Sequence, residues 1–254
     1  NSQSLAVVTR LERRYPSFDG LNITWETLEG LVKHNGPLGN IGENKLVSSE
    51  VMQFSQEFDL ELDTYAGIEA QIAAISDDIA YNNHDIQDGF NANIFRINEL
   101  KEINFFNEIL KRYSSKFKKT NNRILIYQMV RDSINLMVKD LIKNSLINFK
   151  LNKINKLNDV YKSENKLVCF SSNYENIINE IRDFLSFKMY KNNKVLKKNN
   201  EGRRIIEKLF KEISSKPRKF LTFSPIKHNK YRSIADYISG MTDRFAINIY
   251  KSLK

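Results

Sequence analysis

The chain has 254 residues, 41% hydrophobic and 28% charged, which is typical of a globular protein with one large domain or one domain plus an appendage. It lacks an apolar run of 18 residues, so no membrane partner is expected, and its single cysteine, Cys169, excludes an internal disulfide and predicts a cytoplasmic protein. The net charge of +10 is compatible with nucleic-acid binding, but basic charge equally suits an anionic nucleotide, so a nucleic-acid partner is not favoured.

The first 62 residues predict three short helices. Helical spacing of apolar residues indicates a helix within residues 1–15. Thr24 is a good N-cap for a second helix, which Gly36 and Pro37 end, and residues 38–44 read as a loop. A third short helix is expected within residues 48–62.

A long central helix is predicted from about residue 65 to residue 87, with Gly89 as its left-handed C-terminal cap. One face is an apolar stripe that we expect to be buried: Ile68, Ile72, Ile75, Ile79 and Ile86. Small side chains at 70, 73 and 74 leave space for a close neighbour. Asp77, Tyr81 and Asp85 are four residues apart and form a second stripe, which is either a solvated acidic face or a site.

The rest of the chain reads as mainly helical, with four exceptions. They are a basic linker at 114–122, a Lys- and Asn-rich stretch of weak periodicity at 152–166, one short apolar run typical of a strand at 167–170, and an irregular segment at 214–230. The buried face of the helix at 123–151 is predicted to contain Val130, Ile134, Met137, Val138, Leu141 and Ile142. Other helices are expected at 91–113, 174–191, 203–213 and 231–253, the last one kinked near Gly240. The fold class is therefore predicted as all-α.

Three separated segments resemble, in order, signatures of the deoxyguanosine triphosphate triphosphohydrolase family of HD-domain phosphohydrolases. Residues 76–89 read Ser-Asp-Asp-Ile-Ala-Tyr-Asn-Asn-His-Asp-Ile-Gln-Asp-Gly, like the last signature helix of that family. Residues 18–37, which include Thr-Trp-Glu-Thr-Leu-Glu-Gly-Leu-Val-Lys-His, and residues 235–246, which include Gly-Met-Thr-Asp-Arg-Phe, are similar to two further signatures. The resemblance implies that residues 1–110 form the C-terminal part of an HD-domain helical bundle. Residues 111–254 would be an appended helical region that closes the site and mediates oligomer contacts.

The same resemblance implies roles for single residues. The family cleaves a deoxynucleoside triphosphate into deoxynucleoside and triphosphate with a divalent metal such as Mg²⁺ or Mn²⁺. Asp77 matches the final metal ligand, and Tyr81 and Asp85 match residues that face the deoxyribose. Lys33 is a candidate for contacting triphosphate oxygens, or else a cation that complements a helix C-terminus. Arg244 is a candidate for binding phosphate, or else part of an ion pair that locks the last helix.

The expected metal site is incomplete in this sequence. The family's His and His-Asp motifs are absent, and the three histidines, His34, His84 and His228, do not fall in its metal-binding pattern. The adjacent His84 and Asp85 are not that motif, because His84 is about 10 Å along a helix from Asp77. Because the first residue is Asn, we expect that the chain starts inside a longer product, or is processed or truncated. Residues 1–15 resemble the family segment that follows the catalytic loop, which implies that the chain begins just downstream of that loop.

The resemblance implies a homo-oligomer. Because the other metal-binding motifs are absent, we expect this chain to be inactive alone and to take its remaining ligands from an N-terminal half of the HD domain. Metal would bind only if those ligands were supplied. The alternative is an inactive remnant, or a module of the same family that binds a nucleotide or a partner. Either way, we expect an exposed apolar patch around the central helix.

Overall fold

The computed structural model describes residues 1–38, 47–116, 121–221 and 229–253, and within these ranges the fold is all-α, as predicted. Residues 39–44 of the predicted loop, residues 117–120 of the predicted linker and His228 lie outside the described residues. Residues 114–116 and 122 of that linker are helical. The helices are α1 (Ser2–Ala6), α2 (Trp25–Lys33), α3 (Ser49–Glu57), α4 (Ile68–Asn91), α5 (Ile97–Leu100), α6 (Asn104–Lys116), α7 (Asn122–Leu151), α8 (Leu157–Tyr161), α9 (Ser172–Leu185), α10 (Asn193–Ser215), α11 (Pro217–Phe220), α12 (Lys230–Ser239) and α13 (Asp243–Ser252). Single π-helical turns, Val7–Leu11 and Ser186–Tyr190, extend α1 and α9.

Helix α2 begins where its predicted N-cap places it. The side chain of Thr24 accepts a hydrogen bond from the backbone N–H of Thr27, and Ser48 accepts one from Val51 at the start of α3. Gly36, just beyond α2, has φ of +101°, a left-handed conformation that favours glycine.

The predicted end of α4 at Gly89 was wrong. Gly89 lies inside the helix, and a Cβ there would be 2.3 Å from Cε1 of the buried Phe95. The helix instead ends at Asn91, and Asn93 adopts the left-handed conformation with φ of 54°. Glycine at 89 therefore permits close packing of the next segment.

The main core is built from α4, α6, α7 and α9. Ile75, Ile79 and Ile86 of α4 are buried in it, as predicted, but Ile72 is 46% exposed. On α7, Val130, Met137 and Leu141 are buried, whereas Val138 is 38% and Ile142 is 55% exposed, contrary to prediction. The helix predicted at 91–113 is divided into α5 and α6 by a turn at residues 101–103.

The strand predicted at 167–170 does not form, and side-chain amides satisfy the backbone of this segment instead. Gln71 Oε1 accepts from the backbone N–H groups of Leu167 and Val168, both at 3.1 Å. Asn144 Nδ2 donates to the carbonyl oxygens of Cys169 and Phe170, and Asn148 Nδ2 donates to that of Leu167, all at 3.0 Å. Side chains of α4 and α7 thus make the backbone hydrogen bonds that a neighbouring strand would otherwise make.

The chain divides into two compact units, Asn1–Met189 and Tyr190–Lys254. The second unit has its own core of buried residues from α10, α12 and α13: Leu209, Ile213, Ile234, Ile238 and Ala246. The predicted break near Gly240 separates α12 from α13. The functional division predicted between residues 110 and 111 stays a prediction. Across the described ranges, no helix combines the length and apolarity required to cross a membrane.

Candidate functional site

The three residues predicted to form the site share the outer side of α4. Asp77 and Tyr81 are exposed, Tyr81 at 64%, and Asp85 is half-buried. Spacings of four residues put successive side chains about 6 Å apart along the helix axis. The opposite side of α4 is buried at Ile75, Ile79 and Ile86, so core packing fixes the direction in which the three side chains point.

The start of α4 is held by α2. A Cβ on Gly30 would lie only 2.7 Å from the Cβ of Ala70, so the two helices touch where both side chains are minimal. Glu29, which is fully buried, accepts a hydrogen bond at 2.9 Å from the backbone N–H of Gly67, the residue that precedes α4. A carboxylate at this end of a helix is also favoured by the helix dipole. Residues 18–37, one of the three segments that resemble family signatures, therefore support the helix that carries Asp77.

The neighbour of Asp77 makes an ion pair with α9. Asp78 Oδ2 lies 3.0 Å from Arg182 Nη2, and both side chains are about half exposed. This pair ties the middle of α4 to α9. It was not foreseen from the sequence, because the two residues are more than one hundred positions apart.

Lys33 lies in a buried network rather than on an open surface. Its ammonium is 3.0 Å from Glu29 Oε2, and it donates to the carbonyl oxygen of Glu61 at 3.1 Å and to Thr64 Oγ1 at 2.8 Å. The rings of Trp25 and Tyr161 flank it at 5.9 and 5.5 Å. A phosphate contact by Lys33 would require these bonds to break, and no described contact supports that role, which stays untested.

Sequence reasoning overlooked Glu29, although a signal was available. Glu29 and Lys33 are four residues apart on α2, the spacing at which opposite charges meet on one helix face. Burial adds a further effect: desolvation, followed by the negative charge of Glu29, raises the pKa of Tyr161 to about 12.

The described residues do not by themselves fit a metal ion. Within the part of the chain that the structure describes, no three His, Cys, Asp or Glu side chains are grouped closely enough to hold one. His84 is exposed on α4, and His34 contacts the carbonyl of Leu31 and the side chain of Asn35. The metal-ligand role predicted for Asp77 stays a prediction.

Arg244 belongs to the second compact unit. It is exposed in the first turn of α13, whose N-cap, Thr242, accepts a hydrogen bond from the backbone N–H of Phe245. Its predicted phosphate contact stays a prediction. A separate cleft of about 470 Å³ in the first unit is lined by residues of α6, α7 and α9, among them Phe105, Arg112 and Tyr174, and by none of α4.

Comparison with known proteins adds two findings. A family model described as a phosphohydrolase-associated domain matches residues 168–252. This match includes α9, which pairs with α4 through Arg182, and nearly all of the second compact unit.

Curated proteins named deoxyguanosinetriphosphate triphosphohydrolase-like protein are similar over the whole chain. The protein of Pelagibacter ubique is 51% identical over 254 residues, and the match covers 67% of its length. Those of Rickettsia typhi and Bartonella henselae are 41% and 39% identical, and the matches cover 66% and 65% of their lengths. The chain thus spans about two thirds of the length of these relatives.

Proposed function

This chain belongs to the deoxyguanosinetriphosphate triphosphohydrolase-like family, and on that premise we propose that it forms part of the active site of a deoxynucleoside triphosphate triphosphohydrolase. The reaction would convert a deoxynucleoside triphosphate such as dGTP into deoxynucleoside and triphosphate. The observation that carries the proposal is the alignment of Asp77, Tyr81 and Asp85 along the outer side of α4.

Each of the three residues has a role that suits its position. Asp77 supplies a carboxylate, the ligand type that Mg²⁺ and Mn²⁺ prefer. Tyr81, one turn away, presents a ring against C2′ of the sugar, where a ribose hydroxyl would collide. Asp85, one further turn away, accepts a hydrogen bond from the 3′-hydroxyl. The order metal, phosphate, sugar follows the helix axis because the spacing is four residues.

The metal requires ligands beyond Asp77, since such sites use about three or more protein ligands. We propose that an N-terminal half of the HD domain supplies the His and His-Asp motifs over the outer side of α4. The exposed apolar side chains of Ile72 on α4, and of Val138 and Ile142 on α7, support an additional packing partner for this unit.

The test is release of inorganic triphosphate from dGTP in the presence of Mn²⁺ or Mg²⁺. The chain is assayed alone and then mixed with the upstream polypeptide that carries the missing motifs. We expect activity only in the mixture, and at least a 100-fold loss with Asp77→Asn. Glu69→Gln, an exposed carboxylate on the same helix, is the matched control and should retain activity.

Two outcomes would contradict the proposal. Activity in the mixture that survives Asp77→Asn would remove Asp77 from the site. Activity of the chain alone would show that the ligands are all present here, and His34, His84 and His228 would then be tested as ligands.

The second candidate is an inactive member of the family that binds a nucleotide or a partner. The absence of a three-ligand metal group among the described residues favours it over activity of this chain alone. Binding of dGTP without release of triphosphate, both alone and in the mixture, would support this alternative.

We also propose that the protein forms a homo-oligomer and that it is located in the cytoplasm. The single Cys169, which is not in a disulfide, is consistent with a reducing compartment.

A further inference from the structure

Arg182 brings a cation to the acidic side of α4. Helix α4 has five carboxylates and contains neither lysine nor arginine. The carboxylates belong to Glu69, Asp77, Asp78, Asp85 and Asp88. A nucleoside triphosphate is itself strongly anionic, so this helix alone would repel the substrate of the proposed reaction. Cations for the phosphate chain must come from a metal or from other elements, and Arg182 of α9 is placed to be one of them.

The ion pair with α4 puts Arg182 at the level expected for the phosphate chain. Its Nη2 lies 3.0 Å from Oδ2 of Asp78. By helix geometry, Asp78 is about 1.5 Å beyond Asp77 along the axis of α4 and about 4.5 Å before Tyr81. In the proposed order of metal, phosphate and sugar, this interval separates the metal ligand from the residue that faces the sugar.

Core packing fixes the part of α9 that carries Arg182. Ile181 and Leu185, one turn apart, have no exposed surface. The ring of Phe184 packs edge to face against that of Phe95, with 5.1 Å between the ring centres. Arg182 therefore reaches α4 from a rigid helix.

The guanidinium of Arg182 has more donors than Asp78 can use. It carries five N–H groups, and even a bidentate pair with a carboxylate occupies only two of them. The side chain is 47% exposed, so a ligand can approach it from solvent. Asp78 also restricts the rotamers of this long side chain before a ligand arrives, which lowers the entropy cost of binding.

We propose that Arg182 binds the phosphate chain of the deoxynucleoside triphosphate and that Asp78 orients it for this contact. The inference rests on the proposed function, because the substrate and its direction along α4 come from there. Arginine suits the role, since its planar guanidinium can donate two parallel hydrogen bonds to phosphate oxygens. Arg182 lies within residues 168–252, so the region that matches the phosphohydrolase-associated model contributes directly to substrate binding.

The simpler alternative is an ion pair that only joins α9 to α4. Exposed pairs of this kind stabilise proteins little. The two roles differ in what happens when either partner is changed. A purely structural pair is lost equally with Arg182→Gln and with Asp78→Asn. A phosphate contact is lost only with Arg182→Gln, because Asp78→Asn keeps the guanidinium and removes a negative charge near the substrate.

The test measures binding of the two reaction products, inorganic triphosphate and deoxyguanosine, by isothermal titration calorimetry in excess Mg²⁺. The protein is this chain mixed with the upstream polypeptide, and release of triphosphate from dGTP is followed in parallel. The variants are Arg182→Gln, Arg182→Lys and Asp78→Asn. The control is Lys188→Gln, which removes the same charge and breaks a nearby ion pair, with Glu99 at 2.8 Å.

We expect Arg182→Gln to weaken triphosphate binding by about ten-fold and to raise the KM for dGTP by a similar factor, as the loss of a charged hydrogen bond would. Binding of deoxyguanosine should not change, because the sugar and base lie beyond this contact. Arg182→Lys should recover part of the affinity for triphosphate. Asp78→Asn should bind triphosphate at least as tightly as the wild-type chain, and Lys188→Gln should match the wild type.

Three results would overturn the inference. Equal losses of triphosphate binding with Arg182→Gln and Asp78→Asn would show that the pair is structural, and so would a parallel loss of deoxyguanosine binding. Unchanged triphosphate binding by Arg182→Gln, in a mixture that hydrolyses dGTP, would overturn this inference but leave the proposed function intact. A wild-type mixture that neither binds triphosphate nor releases it from dGTP would overturn both.

Discussion

At the scale of single residues, the most constrained group is the buried pair of Glu29 and Lys33. Neither side chain has exposed surface, and each is bonded to a different part of the first unit: Glu29 to the start of α4, and Lys33 to residues 61 and 64. A buried ion pair often stabilises the fold no more than a well-packed apolar pair would. Removing one partner is costly, because it leaves an uncompensated charge in the core.

Lys33→Met should therefore lower the free energy of unfolding by about 3–5 kcal/mol, since the Glu29 carboxylate stays buried without its counterion. The double variant Glu29→Gln, Lys33→Met should recover part of that loss, because the amide oxygen still accepts from Gly67. Urea unfolding followed by circular dichroism measures both. The control is Lys198→Met, which breaks an exposed ion pair with Glu201 and should change stability by less than about 0.5 kcal/mol. If Lys33→Met and Lys198→Met lowered the free energy of unfolding equally, this would refute the stabilising role that we give to the buried pair of Glu29 and Lys33.

Tyr161 should make stability depend on alkaline pH. Its pKa is about 12 in the folded chain, against about 10 for an ordinary tyrosine. The folded state therefore keeps a proton that the unfolded state loses, and stability present below pH 10 is lost as the pH rises toward 12. Tyr161→Phe should flatten the part of the pH–stability curve between pH 10 and 12. An unchanged slope in this variant would assign that pH dependence to other groups.

At the scale of elements, the close contact between α2 and α4 requires that residue 30 has no side chain. Gly30→Ala would place a Cβ 2.7 Å from that of Ala70, so we expect a loss of about 2 kcal/mol from overpacking. Adding Ala70→Gly should restore much of it. Gly202→Ala in α10 is the matched control: a Cβ there meets nothing within 4 Å, and the better helix propensity of Ala should stabilise by about 0.5–1 kcal/mol. Thermal unfolding measures whether each variant is less stable or more stable than the wild-type chain.

Periodicity and capping residues predicted where the helices lie. They predicted only in part which face of each helix is buried. Thr24 marked the start of α2 correctly, because capping is a local interaction. Val138 and Ile142 were placed in the core, yet they are exposed, since α7 carries apolar residues on more than one side and periodicity cannot rank the sides. Gly89 was mistaken for a cap because its tight contact with Phe95 depends on tertiary structure.

The candidate site was predictable to a similar degree. The spacing of Asp77, Tyr81 and Asp85 was sufficient to put them on one side of α4. Local spacing could not reveal that Glu29 supports the start of this helix or that Arg182 pairs with Asp78, because both contacts join distant parts of the chain.

At the scale of the whole molecule, apolar surface on the first unit contrasts with basic surface on the second. Helix α7 alone exposes several large apolar side chains, including Ile142 at 55%, Leu146 at 54% and Leu151 at 75%. Such surface favours association. The first unit has a net charge near zero, so charge repulsion between copies offers little resistance to association.

We therefore expect the chain to self-associate at micromolar concentrations, measured by sedimentation velocity, and salt should not weaken the contact. Ile142→Lys with Leu146→Lys should shift the distribution toward monomer. The control is Leu157→Lys with Leu196→Lys, two exposed apolar residues outside α7 that add the same charge. A wild-type chain that sediments as a monomer throughout would contradict this expectation.

The segment 167–170 has a consequence for local opening. The amides of Leu167 and Val168 belong to no helix, yet both donate to one oxygen of Gln71, whose side chain is only 2% exposed. Their exchange with deuterium should therefore be as slow as that of core helical amides, because a buried side chain must leave before either is released. Gln71→Met would remove the acceptor for both at once, so the two amides should become fast together while the amides of α7 stay protected.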